Sequence, residues 1–181
     1  MKIFGYVIVF VFLFVGCKQK AAVNSTDNSV QTDTSRFPAA LTDFVAYKNN
    51  PVFAGTGTDS WDQKIRERGF ILLEDSIYYL WYTGYKGDEN VEKHLGLATS
   101  TDGINWTKYK DNPIYNSGWV EDMSVIKHDG IYYMFAEGRG DTAHLLTSAD
   151  RIHWTEQGRL DIRKSNGEPL AKGSFGTPSI W

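Results

Sequence analysis

Gly118-Trp119-Val120-Glu121-Asp122-Met123-Ser124-Val125-Ile126-Lys127-His128-Asp129-Gly130-Ile131-Tyr132-Tyr133-Met134-Phe135-Ala136-Glu137-Gly138 decides how the rest of the chain reads. Two carboxylates beside a Trp open it, and a short apolar run follows from Ser124 to Ile126. Asp129-Gly130 then separates that run from an aromatic one, Ile131 to Ala136. Asp-Gly between two β-prone runs is a strong hairpin signal, because both central residues of the favoured turn need positive φ. Glu121 and Asp122 are therefore predicted at the start of a strand, where a side chain can face a pocket instead of a core.

The same pattern recurs along the chain. Leu72-Leu73-Glu74-Asp75-Ser76-Ile77-Tyr78-Tyr79-Leu80-Trp81 matches Ile126 to Phe135 at an offset of 54. Ser100-Thr101-Asp102-Gly103-Ile104-Asn105-Trp106-Thr107 matches Ser148 to Thr155 at an offset of 48, and Asn50-Pro51-Val52-Phe53 matches Asn112-Pro113-Ile114-Tyr115. Beyond the N-terminal segment no stretch keeps a helical period, so the chain reads as all-β. Units of about fifty residues with about four strands each suit propeller blades. The expectation is a partial five-bladed β-propeller: about two blades, with Ser174 to Trp181 opening a third. Such a ring needs further blades to close, so a chain truncated at its C-terminus, and inactive as it stands, is expected.

Composition narrows the function. The 181 residues carry a formal net charge of −3, and no basic stripe marks a nucleic-acid partner. Aromatic content is 14%, which suits sheets and also flat amphipathic ligands. Lys2, the apolar run Ile3 to Gly16 and then Cys17 resemble a bacterial lipoprotein signal; residues 1–16 would be removed and Cys17 lipidated. Cys17 is the single Cys, so no intrachain disulfide forms. The polar stretch 17–36 is predicted to be a disordered tether holding the domain 37–181 off a membrane of the bacterial cell envelope. The four His show no ligand spacing; no metal and no cofactor are expected.

Trp61-Asp62, Tyr78 to Gly84, Ser100 to Thr107, Glu121 to Ile126 and Gly176 to Trp181 together resemble the five-bladed β-propeller glycosidases, the group holding glycoside hydrolase families 32, 43 and 130. The resemblance implies an acidic residue from each of the first three blades at a central funnel, acting on an oligo- or polysaccharide. Asp122 matches the second-blade acid best. Sliding by the repeat puts Arg68 in the first unit and Thr177 in the third, where the pattern wants acids. Asp62 and Glu121 complete the candidate catalytic set. Trp61, Arg68, Trp119, Glu137 and Arg139 are the candidate sugar-binding residues: Trp offers a flat apolar face to a ring, and Arg donates paired bonds to hydroxyls or a carboxylate. Each has a plainer reading, such as a turn cap for Asp62 and a hairpin ion pair for Glu137 to Asp141. Trp106 and Trp154 recur in register and read as packing residues. The alternative function is a non-catalytic carbohydrate-binding lipoprotein on the same scaffold.

Overall fold

A computed structural model of the chain describes residues 38, 41–66, 68–88, 90–170 and 175–180. The leader, Cys17 and the tether lie outside the described residues. Two compact units are present, Met1–Val45 and Ala46–Trp181. In the first, the Leu41 N–H donates to the Pro38 carbonyl at 2.8 Å. The second carries all that follows. Among the described residues no helix is long and apolar enough to cross a membrane.

Nine strands are described: β1 (Lys64–Ile65), β2 (Phe70–Glu74), β3 (Ile77–Tyr85), β4 (His94–Ser100), β5 (Thr107–Lys108), β6 (Glu121–His128), β7 (Ile131–Gly138), β8 (Thr142–Ser148) and β9 (Thr155–Arg159). They form two antiparallel meanders. In the first, β1 and β2 both pair with β3, followed by β4 and β5; the second runs β6-β7-β8-β9. The fold is all-β, two antiparallel sheets that fit blades of a partial β-propeller, as the repeat predicts. Residues 175–180, the described part of the expected third-blade opening, form no strand; the Phe175 N–H donates to the Asp141 carbonyl at 3.1 Å.

Local chemistry explains the repeat. Both hairpins close through two residues of positive φ, Asp75 and Ser76 in one and Asp129 and Gly130 in the other. In each Ser-x-Asp-x-x-x-Trp stretch the Asp carboxylate accepts backbone N–H bonds: Asp102 from Ile104 and Asn105, Asp150 from Ile152 and His153. The Trp that follows donates its indole N–H back into the same turn, Trp106 to Gly103 and Trp154 to Arg151. Both Trp are thus turn and packing residues.

The main core lies between the two sheets. Trp81, Leu95 and Leu97 of the first meet Val125, Met134, Leu146 and Trp154 of the second. Trp81 and Trp154 cross edge to face at 6.0 Å, and both donate to the Arg151 carbonyl. Trp81, Met134 and Leu146 are completely enclosed, and burying such a side chain contributes about 1.5–3 kcal/mol. At the far end of β2, Glu74 accepts from Lys127, from the Tyr132 hydroxyl at 2.5 Å and from Arg151 at 3.0 Å, tying the blades together again.

Candidate active site

The first strand of each blade is interrupted at the same repeat position. Glu121 pairs with Glu137, but Ser124 pairs with Phe135, so Asp122 and Met123 together oppose Ala136. This is a β-bulge, and Asp122 sits in it at φ 48°. In the first blade, residues 66–69 between β1 and β2 oppose only Tyr82 and Thr83, and Arg68 takes φ 60°. A bulge re-aims a side chain that regular alternation would have sent elsewhere.

The re-aimed side chains meet. Arg68 Nη1 donates to Asp122 Oδ2 at 2.6 Å, and Thr177 Oγ1 lies 3.2 Å from Arg68 Nη1 and 3.5 Å from Asp122 Oδ2. These are the three positions that the repeat makes equivalent. Asp122 is 7% exposed, and its Oδ1 is buried without a hydrogen-bond partner among the described residues. Beside it, Glu121 is 5% exposed and forms an ion pair with Arg66, Nε to Oε2 at 3.1 Å. Val120 fixes the approach: its N–H donates to the Lys93 carbonyl, and its own carbonyl accepts from the Thr83 hydroxyl.

Glu137 completes the cluster from β7, directly across from Glu121. Burial pushes its carboxyl up to about 7, helped by a bond shared with Asp141 and by the negative charges of Glu121, Asp122 and Asp141. Gly176 passes so close that a Cβ there would stand 2.7 Å from the Glu137 carboxyl carbon. Any larger residue at 176 would have to displace the Glu137 side chain.

Asp62 is placed elsewhere in the first blade. It is 1% exposed; Oδ1 accepts from Ser60 at 2.6 Å, and Oδ2 from Lys108 at 2.6 Å and Tyr82 at 3.1 Å. Burial raises its pKa, but the bonds from Lys108, Ser60 and Thr56 and the Lys108 charge outweigh burial and hold it below the usual range. Trp61 packs on its own sheet, against Gly84, Gly96 and Tyr82. Trp119 and Arg139 line a separate hollow of about 270 Å³. Lys93 and Arg139 lie against the Trp119 ring, at 4.5 Å and 4.8 Å from its centroid. So the structure gathers Arg68, Glu121, Asp122 and Glu137, and leaves Asp62, Trp61, Trp119 and Arg139 in other contacts. No group of three metal-ligating side chains occurs among the described residues.

The Glycosyl hydrolases family 32 N-terminal domain matches residues 25–171. The chain belongs to this family. A 1,2-beta-oligomannan phosphorylase of Thermoanaerobacter sp. (strain X514) is 26% identical over 127 residues, covering 61% of this chain and 43% of the relative. A candidate glycoside hydrolase from Bacteroides ovatus shares the fold at a TM-score of 0.53 and 21% identity, over 68% of this chain and 43% of that one. A family 32 beta-fructofuranosidase of Bombyx mori superposes at a TM-score of 0.42 with 24% identity, over 51% of this chain and 22% of its own. The family 32 domain described here thus spans less than half the length of the relatives it matches.

Within this family 32 domain the cluster brings Glu121, Asp122 and Glu137 together with Arg66 and Arg68. Glycosidic-bond cleavage in general uses one protonated and one ionised carboxyl group. Glu137 keeps a proton near neutral pH, and Asp122 and Glu121 each face an arginine. Sequence reading missed Arg66 and Asp141 as partners. Arg66 gives no signal in the repeat, whereas Asp141 was legible as the end of a Gly-flanked turn beside Glu137.

Proposed function

We propose that the domain supplies the first two blades of an enzyme that cleaves glycosidic bonds in an oligosaccharide, with Asp122 as its central carboxylate. The observation that carries this reading is the buried Asp122 Oδ1, which has no partner among the described residues, beside Glu121 and Glu137 and against the Arg68 that the first-blade break brings to it. Glu137 is the proton donor in this reading, Glu121 keeps the local charge that holds its proton, and Arg68 and Thr177 orient Asp122 or a sugar hydroxyl. Asp62 then serves the first blade as the anchor of Lys108.

The β-1,2-oligomannan named for the Thermoanaerobacter relative makes β-1,2-mannosides the first substrates to try. The full-length protein is assayed on them with and without inorganic phosphate, which separates hydrolysis from phosphorolysis. Asp122→Asn is expected to abolish turnover while the near-UV circular dichroism stays native. Full activity in that variant removes Asp122 from the chemistry.

One observation favours carbohydrate binding without catalysis: Arg68 already neutralises Asp122 at 2.6 Å. In that case Asp122→Asn lowers affinity for the sugar and no product forms in the unsubstituted protein either. The lipid anchor at Cys17 and a cell-envelope location belong to the same proposal; metabolic labelling with a fatty acid that disappears in Cys17→Ser tests them.

A further inference from the structure

The hollow beside Trp119 lies on the other face of β7 from Glu137, since Gly138 lines it and successive residues of a strand face opposite ways. Two glycines keep it open. A Cβ on Gly138 would stand 3.5 Å from His144 Nε2, and one on Gly118 would stand 3.5 Å from the Tyr115 hydroxyl and 3.8 Å from Glu156 Oε2. At about 270 Å³ it falls just under the roughly 300 Å³ at which pockets for drug-sized ligands begin. It suits a single ring, not a chain of them.

Its polar groups are arranged, and several are unused. His144 is 5% exposed, and its Nδ1 lies 3.2 Å from Glu156 Oε1. A carboxylate only accepts, so Nδ1 carries a proton, and in the neutral tautomer that this selects, the lone pair is on Nε2. That Nε2 is buried without a partner among the described residues. Glu156 is held in turn by the Tyr115 hydroxyl at 3.1 Å, whose own pKa burial and Glu156 push up to about 12. The indole N–H of Trp119 is likewise buried without a partner. Arg159, which pairs with His144 across β8 and β9, makes no side-chain hydrogen bond or ion pair among the described residues. By contrast Arg139 is engaged with Glu92.

We propose that this hollow binds one acidic sugar residue, a hexuronate, through its hydroxyl, ring and carboxylate oxygens. A hydroxyl donates to His144 Nε2, a second oxygen accepts from the Trp119 N–H, and the carboxylate takes the open Arg159 guanidinium. Glu92 is neutralised by Arg139, whereas Glu156 keeps its charge and steers the ligand carboxylate away from itself. A neutral sugar offers Arg159 hydroxyls but no opposite charge; a small inorganic anion leaves the His144 lone pair and most of the volume unused. The site stands apart from the acid cluster, so either reading can fail alone.

The test is binding, without turnover. The full chain, labelled with ¹⁵N, is titrated with D-glucuronate, D-galacturonate, D-glucose and inorganic phosphate, while the Trp119 indole and His144 imidazole resonances are followed. At least one hexuronate is expected to shift both and to bind about tenfold more tightly than glucose, as a charge-assisted bond allows. Arg159→Gln, a change at an exposed side chain, is expected to erase that preference, and Gly118→Val to block the hollow. Asp122→Asn is expected to bind as the parent does. Four results overturn the proposal: no shift with either hexuronate, equal binding of glucose, binding of phosphate alone, or an undiminished hexuronate preference in Arg159→Gln.

Discussion

Arg68 and Asp122 stand 54 residues apart in the chain, at equivalent places in two blades, and meet at 2.6 Å. Each occupies a break in the first strand of its blade with a positive φ that non-glycine residues seldom adopt. The pair therefore records two backbone distortions as well as one ion pair. Arg68 is 54% exposed, so solvent weakens its attraction for the carboxylate. The Asp122 side chain is 6% exposed and cannot turn to water when its partner goes.

Arg68→Ala is thus expected to cost about 1–2 kcal/mol, the scale of losing one partner of a buried polar group. Urea denaturation followed by Trp fluorescence reads it. Arg68→Lys keeps a charge but offers a flexible point donor, and is expected to recover part of the loss. No change in the midpoint for either variant means that Asp122 does not depend on Arg68.

Glu137 gives a pH signature of definite sign. Its pKa in the folded chain is raised to about 7, above the carboxylate value of an unfolded chain. The folded state then holds the extra proton, and stability from this group is complete below about pH 4.3 and is lost as pH rises toward 7. The urea midpoint of the parent is expected to fall between pH 5 and pH 8, and Glu137→Gln to flatten that fall. If Glu137 donates the proton, kcat/KM on an active substrate declines above about pH 7 in the parent, and the variant loses most of its activity at every pH. An equal fall in the urea midpoints of both proteins shows that another group titrates there.

Much of this was legible because a repeat converts a count along the chain into a place in space. The offset of 54 puts Arg68 and Asp122 at one position, the match of Pro178-Ser179-Ile180 to Met123-Ser124-Val125 adds Thr177, and the three are in contact. The two Asp-based turns and the Trp that closes each were legible for the same reason, since their hydrogen bonds stay within a few residues. Arg66 beside Glu121 was not. Its place depends on how far the break between β1 and β2 turns the chain, and period-two alternation is lost there. The His144–Glu156 contact was hidden similarly: the register of β8 and β9 slips between Leu145 and Leu146, so counting across the hairpin gives the wrong partner.

The core between the sheets makes its own prediction. Leu146 is fully enclosed between the blades, whereas Leu73 on β2 is 56% exposed. Leu146→Ala is expected to cost about 2–5 kcal/mol through lost contact and the cavity left behind. Leu73→Ala is expected to stay within about 0.5 kcal/mol of the parent. Comparable losses for the two mean that the blades do not pack through the face described.

Asp62 and Asp122 separate stability from chemistry. Both are buried carboxylates facing a cation, yet Asp62 uses both oxygens, on Ser60, Tyr82 and Lys108, whereas Asp122 Oδ1 has no partner among the described residues. Asp62→Asn strands Lys108 beside an uncharged amide and puts an NH2 group in place of one of the two oxygens that accept from Ser60 or from Lys108 and Tyr82. It is expected to cost about 3 kcal/mol, at the low end for breaking a buried pair because Lys108 is 28% exposed. Asp122→Asn leaves an exposed arginine that water can solvate, so its cost is expected to stay under about 1 kcal/mol. In an active full-length protein the order reverses for turnover: Asp62→Asn keeps kcat near the parent below its lowered melting point, and Asp122→Asn loses it. A folded Asp62→Asn protein with parental stability and no turnover would move the reacting carboxylate to the first blade and leave Asp122 as the structural member of the two.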